Sequence, residues 1–114
     1  MFSLNNVKKT AVLNKMLELY QGDPKRIQHF VKVNFFAENI AESENTNDEI
    51  FFIISTAALV HDIGIHESER KYNSSAGKYQ EIEGPPLAEK LLSECGVDKK
   101  SIERICFLVG HHHT

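Results

Sequence analysis

The feature that most constrains this chain is the run over residues 50–63. It reads Ile-Phe-Phe-Ile-Ile-Ser-Thr-Ala-Ala-Leu-Val-His-Asp-Ile, apolar on every side apart from Ser55, Thr56 and the His61-Asp62 end. Its first half is β-branched and aromatic, which suits a strand. The apolar register nevertheless persists for fourteen residues, against about five or six for an ordinary strand. A helix is the better reading, with Asp48 as its cap and Gly64 as its stop. A helix apolar nearly all round needs neighbours on every side and is a central one. The rest of the chain must then supply a shell of helices around it.

The flanking segments have that character. Over residues 4–20, Leu13, Met16, Leu17 and Tyr20 recur at helical spacing, with Ser3 as a candidate cap. Gly22 ends this segment, and Asp23-Pro24 reads as a cap followed by a first-turn proline. The helix that follows, to about residue 42, carries two apolar stripes. One is Ile27, Phe30, Val31 and Phe35; the other is His29, Val33, Phe36 and Ile40. So wide an apolar face predicts burial among several neighbours. Residues 43–47 form a polar connection. Residues 65–83 read as a long polar loop with at most one short turn, a length often associated with function. Gly84-Pro85-Pro86 then opens a helix with Leu87, Ala88, Leu91 and Leu92 inward and Gly96 as its stop. Asp98 caps a last helix, with Val97 packing on Ile102 as a hydrophobic staple and Ile102, Ile105, Cys106 and Val109 facing the core. The expected architecture is all-α, a bundle of about five helices forming one domain over residues 1–114.

Composition narrows the partners. Thirteen basic against sixteen acidic residues, a net charge of -3, predict no membrane and no duplex nucleic acid as partner. The apolar run is shorter than the ~18–20 residues of a membrane span. Cys95 and Cys106 lack metal-binding or disulfide-framework spacing. Together with an N-terminus unlike a signal peptide, they predict reduced thiols in a cytoplasmic protein.

The chemistry concentrates in histidines, of which there are six. An ionised Asp62 beside His61 at the end of an apolar helix is costly unless paired or metal-bound. Imidazole and carboxylate suit divalent cations. His29 lies on an inward stripe of the preceding helix, and helices joined by a short connection are usually neighbours. Three more histidines, His111, His112 and His113, follow the last helix. Continuing it at about 100° per residue brings His113 to the core face and His112 to its flank.

These residues resemble the HD-domain superfamily of metal-dependent phosphohydrolases. His29 is similar to the family's first histidine, and Leu59-Val60-His61-Asp62-Ile63-Gly64 to its naming motif. Gly84-Pro85-Pro86-Leu87-Ala88 resembles the Gly-x-x-x-Ala helix that follows, and Val109-Gly110-His111-His112 the next helix end. The resemblance covers residues 24–114. It selects His111 and His112 from the tail, so that His112 is the residue that resemblance and periodicity share. It implies an HD-like bundle in which His29, His61, Asp62, His112 and His111 hold a divalent ion (Mn, Mg, Fe, Co, Ni or Zn). His61 and Asp62 would be the catalytic pair, with a metal-activated water attacking the phosphate. Arg70, Lys71 and Lys78, on the segment after the motif, would neutralise a small phosphorylated substrate such as a nucleotide. A homo-oligomer is compatible with this reading. Three departures stand out. Ile65 replaces a common lysine. Gln80 stands where two-metal members have a histidine, with Glu81 and Glu83 nearby. The closing aspartate of a later helix has no counterpart after Asp98. The expectation is therefore a domain shortened at its C-terminus. Its alternative role would be a weak or inactive module that binds metal or nucleotide in regulation.

Overall fold

A computed structural model describes residues 4–111. It is all-α, with helices α1 (Leu4–Leu19), α2 (Pro24–Ser43), α3 (Asp48–Val60), α4 (Ile65–Tyr72), α5 (Gly77–Glu94) and α6 (Lys99–His111). Helix α3 takes the expected central place, packed against α1, α2 and α6. Asn47 rather than Asp48 caps it, accepting a 2.8 Å bond from the Ile50 amide. Asp48 and Glu49 then sit in the first turn, where the helix dipole favours negative charge. Every residue from Ser55 to Val60 is buried.

The core joins Val12 and Met16 of α1, Tyr20 just after it, Phe30 of α2, Phe52, Ile53, Leu59 and Val60 of α3, and Leu91, Leu92, Ile102, Ile105 and Val109 of the last two helices. The two polar residues inside the α3 run differ in how they are accommodated. Ser55 donates to Glu38, and Asn34 donates to both the Ser55 carbonyl and its hydroxyl. Thr56 Oγ1 is buried without a partner among the described residues. Within residues 48–72 lies a stretch apolar and long enough by composition to cross a membrane. These residues are divided between α3 and α4 by a turn at 61–64, and the apolar half is core.

Two glycines set the spacing at the end of α3. A Cβ on Gly64 would lie 2.8 Å from the Gly84 amide nitrogen, and one on Gly84 would lie 2.9 Å from Val109 Cγ1. The chain after His61-Asp62 therefore runs directly on the backbone of α5, and α5 in turn on α6. Ala88, one turn beyond Gly84, is fully buried on the same helix.

Three further expectations need correction. Residues 65–83 are not a loop. They form α4, a short connection, and the first turns of α5. Helix α4 is held by Glu67 paired with Arg70 and Lys71 at helical spacing. It is closed by Asn73 in the left-handed conformation at φ 52°. Helix α5 begins at Gly77, well before Gly84, and runs through Pro85 and Pro86. The prolines remove two ladder donors, but burial of Gly84, Ala88, Leu91 and Leu92 keeps the segment continuous. Finally, α2 does not bury its wide apolar face. Phe30 and Ala41 are its buried residues, while Phe35, Phe36 and Ile40 are 62%, 56% and 64% exposed. The principal neighbour of α2 is α3, and one neighbour covers one stripe.

Candidate metal centre

The last turn of α3 delivers His61 and Asp62 together. His61 is the C-cap of the helix, and its ring turns back so that Nδ1 lies 2.6 Å from the Ala58 carbonyl oxygen. A carbonyl only accepts, so Nδ1 carries the proton and Nε2 is the atom presented outward. From the facing side, α2 brings His29. Its Nε2 lies 3.3 Å from His61 Nε2 and 3.4 Å from Asp62 Oδ2, and His61 Nε2 lies 3.1 Å from the same oxygen. The side chains of His61 and Asp62 are 17% and 22% exposed, and that of His29 is 55% exposed. The centre is thus rooted in the core and opens on one side, along α2.

This donor set fits a divalent cation. The three atoms form a triangle with edges of 3.1–3.4 Å. Ligands about 2.1 Å from one ion stand about 3.0 Å apart at octahedral angles and about 3.4 Å apart at tetrahedral angles. Two imidazoles and a carboxylate form a mixed set that accepts several first-row divalent ions. Among the described residues, His29, His61 and Asp62 are the group of possible ligands that converges in this way. Burial opposes charge on His61, but the hydrogen bond and charge of Asp62, with the Ala58 carbonyl, outweigh it and raise its pKa above the ordinary 6.5. The geometry that suits an ion thus also attracts a proton.

The backbone of Asp62 is held from α1. The Tyr20 hydroxyl donates a 2.7 Å hydrogen bond to its carbonyl. Tyr20 is 2% exposed, its ring is edge-on to Phe30 and against His66, and burial followed by the nearby Asp62 charge pushes its pKa up. Beside it, His66 Nε2 donates to Asp23 Oδ2 at 2.8 Å. Arg26 bridges Asp23 and Glu69 at 3.2 and 2.8 Å. This network fastens the start of α2 to α4. Asp23 thus serves as an ion-pair partner, without a side-chain cap on its own helix. Sequence reading missed Tyr20, His66 and Asp23 in these roles. Nothing in the spacing signals contacts across some forty residues.

The other predicted residues lie elsewhere. Arg70 is paired with Glu67, and Lys71 with Glu83 at 3.0 Å and with Glu67. Lys78 stands 5.0 Å from the centre of the Tyr79 ring. The expected free phosphate-binding cations of this segment are therefore largely occupied by carboxylates. Glu83 also accepts from Tyr72. Gln80 is buried, donating to the Ser75 carbonyl with its Oε1 unpartnered among the described residues. His111 is exposed at the end of α6, stacked on Phe107 with Nδ1 on the Phe107 carbonyl. It is not part of the converging group. His112 and His113 lie outside the described residues.

Comparison with curated proteins and with solved structures returned no match. The family model of the HD domain matches residues 26–114. That match takes in the α2 histidine, the His-Asp step at the end of α3 and the α5–α6 pair that supports it. By this match over most of its length, with the signature histidines and aspartate converging in the fold, the chain belongs to the HD-domain family.

Proposed function

We propose that the protein is a metal-dependent phosphohydrolase acting on a nucleotide or another small phosphate ester. The observation that carries this reading is the convergence of His29 Nε2, His61 Nε2 and Asp62 Oδ2 on one opening. When bound there, a divalent cation supplies a Lewis acid for a phosphoryl oxygen and lowers the pKa of a water. The residues do the rest. His61 is fixed in orientation and tautomer by the Ala58 carbonyl. His29 completes the open side, where an ester approaches along α2. The Asp62 carboxylate faces both rings and orients the attacking water, while Tyr20 holds its backbone still. Two half-buried thiols without a disulfide suit a reducing cytoplasm.

A second reading, a module that holds metal or nucleotide without turnover, is favoured by the pairing of Arg70 and Lys71 with carboxylates. One experiment separates the two. Purified protein is assayed for bound metal, then screened against phosphate esters with Mn²⁺, Mg²⁺, Co²⁺, Fe²⁺, Ni²⁺ and Zn²⁺. The proposal expects metal-dependent release of phosphate that Asp62→Ala abolishes. Bound metal without hydrolysis of any ester supports the module instead.

A further inference from the structure

The centre opens onto an exposed face of α2 formed by Lys25, Gln28, His29, Lys32, Phe35 and Phe36, with Val31 at its edge. His29 belongs to both. Lys25, His29, Lys32 and Phe36 are spaced by four, three and four residues, so they share one stripe of α2. Among the described residues, neither Lys25 nor Lys32 makes an ion pair, in contrast to Arg70 and Lys71. One ammonium group therefore stands about a turn to either side of the metal-facing imidazole. Phe36 follows one turn beyond Lys32, edge-on to Phe35 with ring centres 5.7 Å apart. Both rings are largely exposed.

We infer that this stripe is the substrate-recognition surface of the centre, and that it selects a phosphate monoester carrying an aromatic ring. This inference rests on the phosphohydrolase reading above and names the ligand class of the same site. The chemistry is complementary along its length. A phosphate dianion is held between Lys25 and Lys32 as it meets the centre. The organic part of the ester then lies along α2 toward the phenylalanines. Seven residues separate His29 from Phe36, a rise of about 10 Å. The preferred ester therefore places its ring about that far from phosphorus. Aromatic stacking and burial of the two exposed rings supply the selectivity.

The test uses 4-phenylbutyl phosphate and butyl phosphate, whose alcohols are nearly equal as leaving groups, so that differences report recognition. Calorimetric titration of the manganese-loaded protein is expected to show the aromatic ester binding about fivefold tighter. Phe36→Ala, an exposed position, removes that difference by weakening the aromatic ester more than butyl phosphate. Lys32→Gln weakens both esters alike, by about three- to tenfold. Metal content stays as in the parent in both variants. Equal affinity for the two esters, or an undiminished preference in Phe36→Ala, overturns the inference. So does a dimer that Phe36→Ala dissociates without changing ester affinity, because the face is then an interface between copies. Turnover separates the two levels. Hydrolysis of both esters without preference sinks the recognition surface and leaves the phosphohydrolase reading standing. Selective binding without hydrolysis does the reverse.

Discussion

The Tyr20 hydroxyl donates a 2.7 Å hydrogen bond to the backbone carbonyl of Asp62, tying the end of α1 to a residue of the metal centre forty-two positions away. Asp62 follows the last turn of α3, in the turn at 61–64. Tyr20→Phe keeps the packing on Phe30 and removes this bond, while the carbonyl still accepts from the Ile65 amide at 3.0 Å. The expected cost is about 1–2 kcal/mol of stability, with metal affinity reduced several-fold because Asp62 is less firmly placed. Urea unfolding of the metal-free variant and a metal titration measure the two effects separately. An unchanged dissociation constant would show that Asp62 is positioned without Tyr20.

The close approach of Gly64 to α5 makes a sharper stability prediction. A Cβ at Gly64 meets Gly84 N at 2.8 Å and Gly84 Cα at 3.0 Å, and backbone has little room to yield. Gly64→Ala should cost about 1–3 kcal/mol. Gly84→Ala meets the end of a valine side chain at 2.9 Å, which turns more easily, and should cost less. Denaturation midpoints of the two variants decide the order; Gly84→Ala as the worse of the pair would contradict the packing described.

Binding of the ion should release a proton. Because the pKa of His61 is raised above 6.5, the metal-free ring is more than half protonated at pH 6.5 and below, and a cation must displace that proton. Affinity is therefore full above the raised pKa and falls by about tenfold per pH unit below it. The loss sets in at a higher pH than an unperturbed histidine would give. Calorimetry in two buffers of different ionisation enthalpy reads the proton directly. Identical apparent enthalpies at pH 6.5 would exclude its release.

Acid stability should depend on Glu38. Burial pushes its carboxyl up, but hydrogen bonds from Lys9 and Ser55 and the Lys9 charge more than reverse this, so its pKa lies below the ordinary 4.5. A depressed carboxyl contributes stability that is fully present above 4.5 and is lost as pH falls through the folded-state value. Glu38→Gln should flatten the dependence of stability on pH over that window. Parallel unfolding curves for parent and variant between neutrality and pH 3 would assign the acid limb to other groups.

Much of the fold and centre was legible because it depended on local pattern. The α3 run announced its burial through composition alone, and its His61-Asp62 end marked the place where buried polarity needs a partner. The inward positions Met16, Tyr20, Ala88, Leu92, Ile105 and Val109 followed from period. Helix α4 was missed because its inward face is short, with Ile65 packed on the core and the buried residue one turn on being Ser68. It is a polar helix held by Glu67 with Arg70 and Lys71, and those spacings, with Asn73 as a left-handed stop, were the available signal. The start of α5 was hidden by Pro85 and Pro86, where tertiary packing overrides a local breaker. The exposed face of α2 was misread for a different reason. Val31, Phe35, Phe36 and Ile40 look like core residues until the number of neighbours is known. The pairing of Lys71 with Glu83 likewise exists only once α4 folds back on α5.

The central claim is that His29, His61 and Asp62 hold the metal, and metal stoichiometry after dialysis tests it most directly. The parent protein should retain about one divalent ion per chain. His29→Ala should lose it while keeping its helical content and the unfolding midpoint of the metal-free parent, since the His29 side chain is 55% exposed. Asp62→Ala should lose it as well. Undiminished metal in either variant would contradict the account.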